Sequence, residues 1–153
     1  MNILLTGGTG FIGSSIKEYF LNSGYNIIEL IRNNKICDQL SASESIKYDI
    51  TNSNYNDIIS KLKGKDIKVI IHSAAAIESN FESDKLLRTN CLGTNNLIKI
   101  SKDLKIKKFI YLSSLPIIGK PINIPITEEH PIKTESIYHL SKYFGEHLIS
   151  IQD

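Results

Sequence analysis

Three glycines at a fixed spacing, Gly7, Gly10 and Gly13, follow directly on an apolar stretch in "MNILLTGGTGFIGSS". Where a strand turns into a helix, a first glycine permits the tight turn and a middle one lets the backbone approach a pyrophosphate. A third lets helix and strand pack closely. The free amides and positive end of the helix can then hold the phosphates. The spacing is G-x-x-G-x-x-G, not the commoner G-x-G-x-x-G, and a glycine-rich turn without a ligand is the competing reading. A kinase-like phosphate loop ranks third, since no Lys-Ser/Thr step follows the glycines. Near the other end, "YHLSK" sets Tyr138 and Lys142 four residues apart, so on a helix both emerge from one face. Such a pair is commonplace by itself. The apolar run "KFIYLSS" ends in Ser113 and Ser114, and the carboxyl end of a parallel strand is where such sheets bind ligands.

These groups need elements to position them. Continuous apolar runs at Asn2–Leu5, Asn26–Ile31, Val69–His72 and Phe109–Leu112 predict strands buried on both faces, with a weaker strand at Ser45–Tyr48. Helical spacing separates them: Ile12, Ile16 and Phe20; Tyr55, Ile58, Ile59 and Leu62; Leu86 through Ile100; and Ile137 to Ile149. Strand and helix alternating in this way imply right-handed βαβ crossovers and a parallel sheet with helices on both faces. The stretch "SSLPIIGKPINIPITEEHPIKTE", 113 to 135, carries all four prolines and predicts a long irregular loop of the functional kind.

Composition bounds the remaining possibilities. With 153 residues, 41% hydrophobic and 22% charged, the chain reads as one ordinary globular domain. Its net charge of +2 is spread without a basic run or interleaved aromatics, which disfavours a nucleic-acid partner. Cys37 and Cys91 are far apart and read as buried free thiols in a reducing cytosol, so a cytoplasmic location is expected. No signal peptide, membrane span or metal-ligand pattern is apparent.

Taken together, "TGGTGFIGS", "YDIT", "IHSAAA", "NCLGTNNLI", "FIYLSS" and "EEHPIKTESIYHLSKYFGEHL" make the chain resemble the N-terminal part of an extended short-chain dehydrogenase/reductase. This NAD-dependent epimerase/dehydratase group includes nucleotide-sugar epimerases, dehydratases and reductases. The resemblance implies a Rossmann-type doubly wound sheet of about five strands in order 3-2-1-4-5. It implies Gly7, Gly10, Phe11, Ile12 and Gly13 at the pyrophosphate, Asp49 and Ile50 at the adenine, and Ala74 and Ala75 along the cofactor's inner edge. Asn90 is implied as a structural and cofactor-side group, with Ser114, Tyr138 and Lys142 as the catalytic trio and the last two also at the cofactor. The family usually carries a Tyr just before the glycine that follows the serines; Ile118 before Gly119 counts against a specific sugar 4-epimerase. The family's C-terminal substrate lobe is expected to be absent from residues 1–153. A homo-oligomer or a complementing C-terminal chain is therefore considered as partner, with a nucleotide sugar as substrate.

Elementary chemistry agrees with the trio. Hydride transfer at a sugar carbon needs a group that gives or takes the hydroxyl proton, and a free Tyr of pKa about 10 is mostly the wrong species at neutral pH. A Lys142 cation at about 4 Å and an effective dielectric of about 20 would favour phenolate by about 4 kcal/mol, before desolvation subtracts some. Ser114 would hydrogen-bond the reacting oxygen. At the end of the second strand, "IIELIRNN" has Ile31 where an acid usually chelates the ribose, followed by Arg32 and Asn33, which favours NADP over NAD. Glu29 is the competing acid, two residues early. His72 reads as a satisfied core or strand-end histidine, His130, His139 and His147 as surface groups, and Glu128 and Glu129 as solvated. Two functions follow: an NAD(P)-dependent nucleotide-sugar enzyme represented by its cofactor half, or a non-catalytic dinucleotide-binding or interaction module.

Overall fold

Residues 3–6 and 27–30 are buried without a break, a pattern that suits strands covered on both faces. In the computed structural model, which describes residues 1–32, 42–77 and 83–152, they belong to β1 (Asn2–Thr6) and β2 (Asn26–Ile31). With β3 (Glu44–Lys47), β4 (Ile67–His72) and β5 (Lys108–Tyr111) they form one parallel sheet in the order β3-β2-β1-β4-β5. The helices are α1 (Phe11–Asn22), α2 (Asn56–Leu62), α3 (Ser83–Leu87), α4 (Thr94–Asp103) and α5 (Ile137–Ser150).

Alternation along β1 divides the core in two. Leu4, Ile28 and Ile70 pack with Ile58 and Leu62 of α2 and with Leu97 and Ile100 of α4. Ile3, Leu5, Ile27 and Ile71 face the other way and are covered by Ile16 and Phe20 of α1. The predicted sheet order and alternation are observed, with strand ends shifted by one or two residues. Among the described residues no helix is long and apolar enough to cross a membrane.

Two differences matter for the site. The predicted helix from Leu86 to Ile100 is interrupted by a π-helical segment, Arg88–Gly93, between α3 and α4. There the Thr94 hydroxyl donates to the Asn90 carbonyl at 2.6 Å, and a Cβ on Gly93 would stand 2.8 Å from the Ile50 side chain. Segments of this kind widen the helix locally and recur where it carries functional groups. The irregular stretch 113–135 contains a 3₁₀ turn, Leu115–Ile118, that buries Ile117 and Ile118. His130, expected at the surface, is buried at 8% exposure. Its Nε2 accepts from the Ile122 amide at 3.1 Å and its Nδ1–H donates to the Pro131 carbonyl at 2.9 Å. That histidine ties the loop to itself, a role no local sequence signal announces.

Candidate functional site

The glycines divide their work as their spacing suggests. Gly7 adopts φ +75°, and a Cβ there would stand 2.5 Å from the Ala74 nitrogen. At Gly13 a Cβ would stand 2.1 Å from the Gly7 carbonyl oxygen and 2.8 Å from Ser73 Oγ, so helix and strand touch at that point. Gly10 is the N-cap of α1, and a Cβ on it would meet only the Gly7 carbonyl, at 3.2 Å. The first turn of α1 holds no acidic residue, which leaves its amides and positive end free for an anion. Phe11 and Ile12 stand in that turn with their side chains exposed, and Gly13 is buried beneath it.

Beside this loop a cleft opens at the carboxyl ends of β1, β2 and β4. Of the predicted residues, Gly7, Gly10, Arg32, Asp49, Ile50, Ala74 and Ala75 line it. Ile31, read from sequence as standing at the usual ribose-acid position, lines it too, and so do Thr6, Thr9, Leu30, Tyr48, Ser73 and Thr89, which were not singled out from sequence; those at strand ends were open to the same strand-terminus argument that found the serines. The cleft joins a glycine loop with phosphate-binding character to apolar walls at Leu30, Ile31 and Ile50, which fits a dinucleotide. Asp49 is exposed, and its Oδ1 accepts the Thr51 amide at 2.9 Å. Glu29 is not at the ribose end. It is buried, its Oε2 accepts from Lys17 Nζ at 3.1 Å, and a Cβ on Gly8 would stand 2.4 Å from its Oε1. The exposed Arg32 thus lines the cleft where Glu29 does not. Asn33 and Cys37 lie outside the described residues.

The trio stands on two neighbouring elements. Ser114 is half-buried just beyond β5, at the N-cap of the 3₁₀ turn, and α5 packs against that turn and against the π segment. The start of α5 is set by Ser136, whose Oγ accepts the His139 amide at 3.1 Å, a side-chain N-cap. From there Tyr138 is half-buried, Lys142 is buried, and His147 is exposed as expected. His139 is only half-buried, its ring edge-on to Tyr138 at 5.9 Å. Glu128 and Glu129 are exposed, as read from the sequence. Lys142 Nζ sits 4.2 Å from the centre of the Tyr111 ring, a cation–π seat. Burial pulls the Lys142 ammonium down to about 8, against the opposing pull of the Glu146 carboxylate. Burial likewise pushes the Tyr111 phenol up. Tyr111 fits under α5 because position 145 is glycine, where a Cβ would stand 2.4 Å from its hydroxyl. Neither Tyr111 nor Gly145 was identified from sequence.

Asn90 lies behind the site, 1% exposed, with its side chain bonded to the Ala76 backbone and to Ser141. It does not line the cleft. His72 is buried with both ring nitrogens partnered, to Thr6 Oγ1 at 2.7 Å and Thr94 Oγ1 at 3.0 Å. Among the described residues no cluster of His, Cys, Asp or Glu could hold a metal ion. Cys91 is half-buried, and burial raises its thiol.

Comparison with known proteins matches residues 3–151 to the NAD dependent epimerase/dehydratase family. A putative UDP-glucose 4-epimerase of Methanocaldococcus jannaschii is 33% identical over 97% of this chain and 50% of its own length. The UDP-glucose 4-epimerase of Drosophila melanogaster is 31% identical over 96% of the chain and 47% of its own. Among solved structures, a UDP-glucose 4-epimerase from Bifidobacterium longum in complex with NAD+ and UDP superposes with a TM-score of 0.85 at 26% identity, covering 99% of this chain and 49% of that one. One from Stenotrophomonas maltophila, with a TM-score of 0.89 at 20% identity over 99% and 48%, shares the fold. The chain spans about half the length of the relatives it matches.

Proposed function

The chain belongs to the NAD-dependent epimerase/dehydratase family, and on that footing we propose that it is the cofactor-holding, proton-transferring part of a nicotinamide-dependent enzyme acting on a nucleotide sugar. The observation that carries this reading is the glycine cradle beside a cleft at the carboxyl ends of β1, β2 and β4, with Asn90 bonding both Ala76, just past that cleft, and Ser141 of the helix that bears Tyr138 and Lys142. A nicotinamide dinucleotide bound in the cleft supplies and takes back hydride. Gly7 and Gly10, with the first turn of α1, hold its pyrophosphate; Gly13 lets that turn approach; Asp49 and Ile50 bound its adenine; and Ala74 and Ala75 flank its inner edge. Arg32 lines the cleft just past β2, and an arginine at that strand end would take a ribose 2′-phosphate, which supports NADP over NAD.

The chemistry at the substrate falls to three side chains. Tyr138 takes the proton from a sugar hydroxyl as the carbon loses hydride, and returns it in the reverse sense. Lys142, one turn further along the same helix face, would fix the nicotinamide ribose. Ser114 donates to the reacting oxygen and steadies its partial charge. Intact Ser114, Tyr138 and Lys142 favour this reading over a binding module, which has no use for them. Substrate conversion is expected of an assembly that includes the equivalent of the relatives' remaining half. Tyr138→Phe tests the proposal: it should leave cofactor affinity within about threefold while lowering turnover by at least about 100-fold. Equal turnover in the variant would remove Tyr138 from the reaction.

A further inference from the structure

Thr94 Oγ1 lies 2.6 Å from the Asn90 carbonyl oxygen. A carbonyl only accepts, so the single Thr94 proton is committed there. His72 Nε2, 3.0 Å from the same hydroxyl, must then carry a proton and donate it. His72 is fully buried, and burial, reinforced by the Lys142 charge on α5, holds its ring neutral with a pKa down to about 3. The other groups beside it are the rings of Tyr111 and Phe109 on β5. With its one proton on Nε2, Nδ1 is bare and accepts from Thr6 Oγ1 at 2.7 Å. Thr6 Oγ1 accepts in turn from the Ala74 amide, at 3.4 Å.

Each bond in this row therefore has one possible direction. It runs from the Ala74 amide through Thr6, His72 and Thr94 to the Asn90 carbonyl. Beyond it, Asn90 Oδ1 accepts the Ala76 amide at 2.8 Å, while Nδ2 donates to the Ala76 carbonyl at 2.9 Å and to Ser141 Oγ at 3.0 Å. Ser141 Oγ donates to the carbonyl of Tyr138 itself at 2.7 Å. The opposite tautomer would set two lone pairs face to face at Thr94, and an imidazolium would set a proton against the Thr6 hydroxyl's own. Buried polar groups left unmatched in this way are costly.

We propose that His72, held as the neutral Nε2–H tautomer, is a positioning residue that fixes the glycine-loop strand against the helix carrying Tyr138 and Lys142. Its bearing on the reaction rests on the function proposed above; the hydrogen-bond directions and the helix position do not.

The test uses the full chain with labelled histidines and tyrosines. Long-range proton–nitrogen NMR should show His72, identified by its loss in His72→Gln, with a protonated Nε2 and a bare Nδ1, unchanged from pH 5 to pH 9. A protonated Nδ1 in that range overturns the proposal. Thr94→Val keeps the shape and removes the hydroxyl, whereas Thr94→Ser keeps the hydroxyl. Thr94→Val should shift the Tyr138 ring resonances and weaken NADPH binding by roughly tenfold, and Thr94→Ser should restore both. Tyr138 resonances unmoved by Thr94→Val, or moved equally by both variants, also overturn it. If the unsubstituted chain binds no nicotinamide dinucleotide, the proposed function fails, while the tautomer and the Tyr138 resonances still decide the role of His72.

Discussion

Lys142 is 2% exposed, and its charge rests on the Tyr111 ring rather than in water. Desolvation disfavours the ammonium, and the ring face and Glu146 recover part of the loss. Titration of the Lys142 side-chain Cε resonance by NMR over a pH series should place its midpoint near 8. Tyr111→Leu should lower that midpoint further, by roughly 0.4–0.7 pH unit, because a cation–π contact of about 0.5–1 kcal/mol is lost. Tyr111→Phe keeps the ring face and should leave the midpoint in place; an unmoved midpoint in Tyr111→Leu would mean that the ring does not stabilise the ammonium. The Tyr138/Lys142 pair was legible from its four-residue spacing, since a helix fixes which residues share a face. Tyr111 was not, because the residue beneath a helix is chosen by packing between distant elements, here through the missing side chain of Gly145.

The turn between β1 and α1 separates what glycine does for the fold from what it does for a ligand. Gly13→Ala drives a Cβ against the Gly7 carbonyl and should cost at least about 2–3 kcal/mol in a denaturant titration. Gly10→Ala meets nothing closer than 3.2 Å and should cost no more than about 1 kcal/mol. If Gly10 is reserved for a pyrophosphate, the same variant should still weaken NADPH binding by at least about tenfold. A Gly13→Ala protein as stable as the parent would refute the close approach of helix and strand. The strands, and the helices α1, α2 and α5, could be read from period and burial pattern. The π segment could not, because the apolar period runs through it unbroken and the room it occupies is set by Ile50, far away in sequence, which a Cβ on Gly93 would approach to 2.8 Å. The direction taken by 113–135 was hidden for a similar reason, its anchor being the buried His130.

Over the whole molecule, the buried polar row through His72 links the two ends of the site and also links stability to pH. The folded-state pKa of His72, about 3, lies below the ordinary value of 6.5. Between those values the unfolded chain binds a proton that the folded chain refuses, so stability falls as pH drops from about 6.5 towards 3. Denaturant titrations at pH 7 and pH 4 should show a loss larger in the parent than in His72→Gln, by on the order of 3 kcal/mol. Equal losses would mean that His72 takes up its proton without resistance. Lys142 acts in the same sense at the alkaline end, where stability rises with pH between about 8 and 10.5. The sheet order was legible because right-handed crossovers leave few alternatives, whereas the burial of Glu29 against Lys17 under Gly8 was not, since an acid near a strand end reads equally well as a ribose ligand. Equilibrium titration of the chain with NADPH and NADH bears most directly on the proposed function. The signal is the nicotinamide's own fluorescence, since the chain contains no Trp. Saturable binding is expected, tighter for NADPH and reduced to the NADH level by Arg32→Ala; absence of binding to both would contradict the dinucleotide role, and equal or tighter binding of NADH would contradict the role given to Arg32.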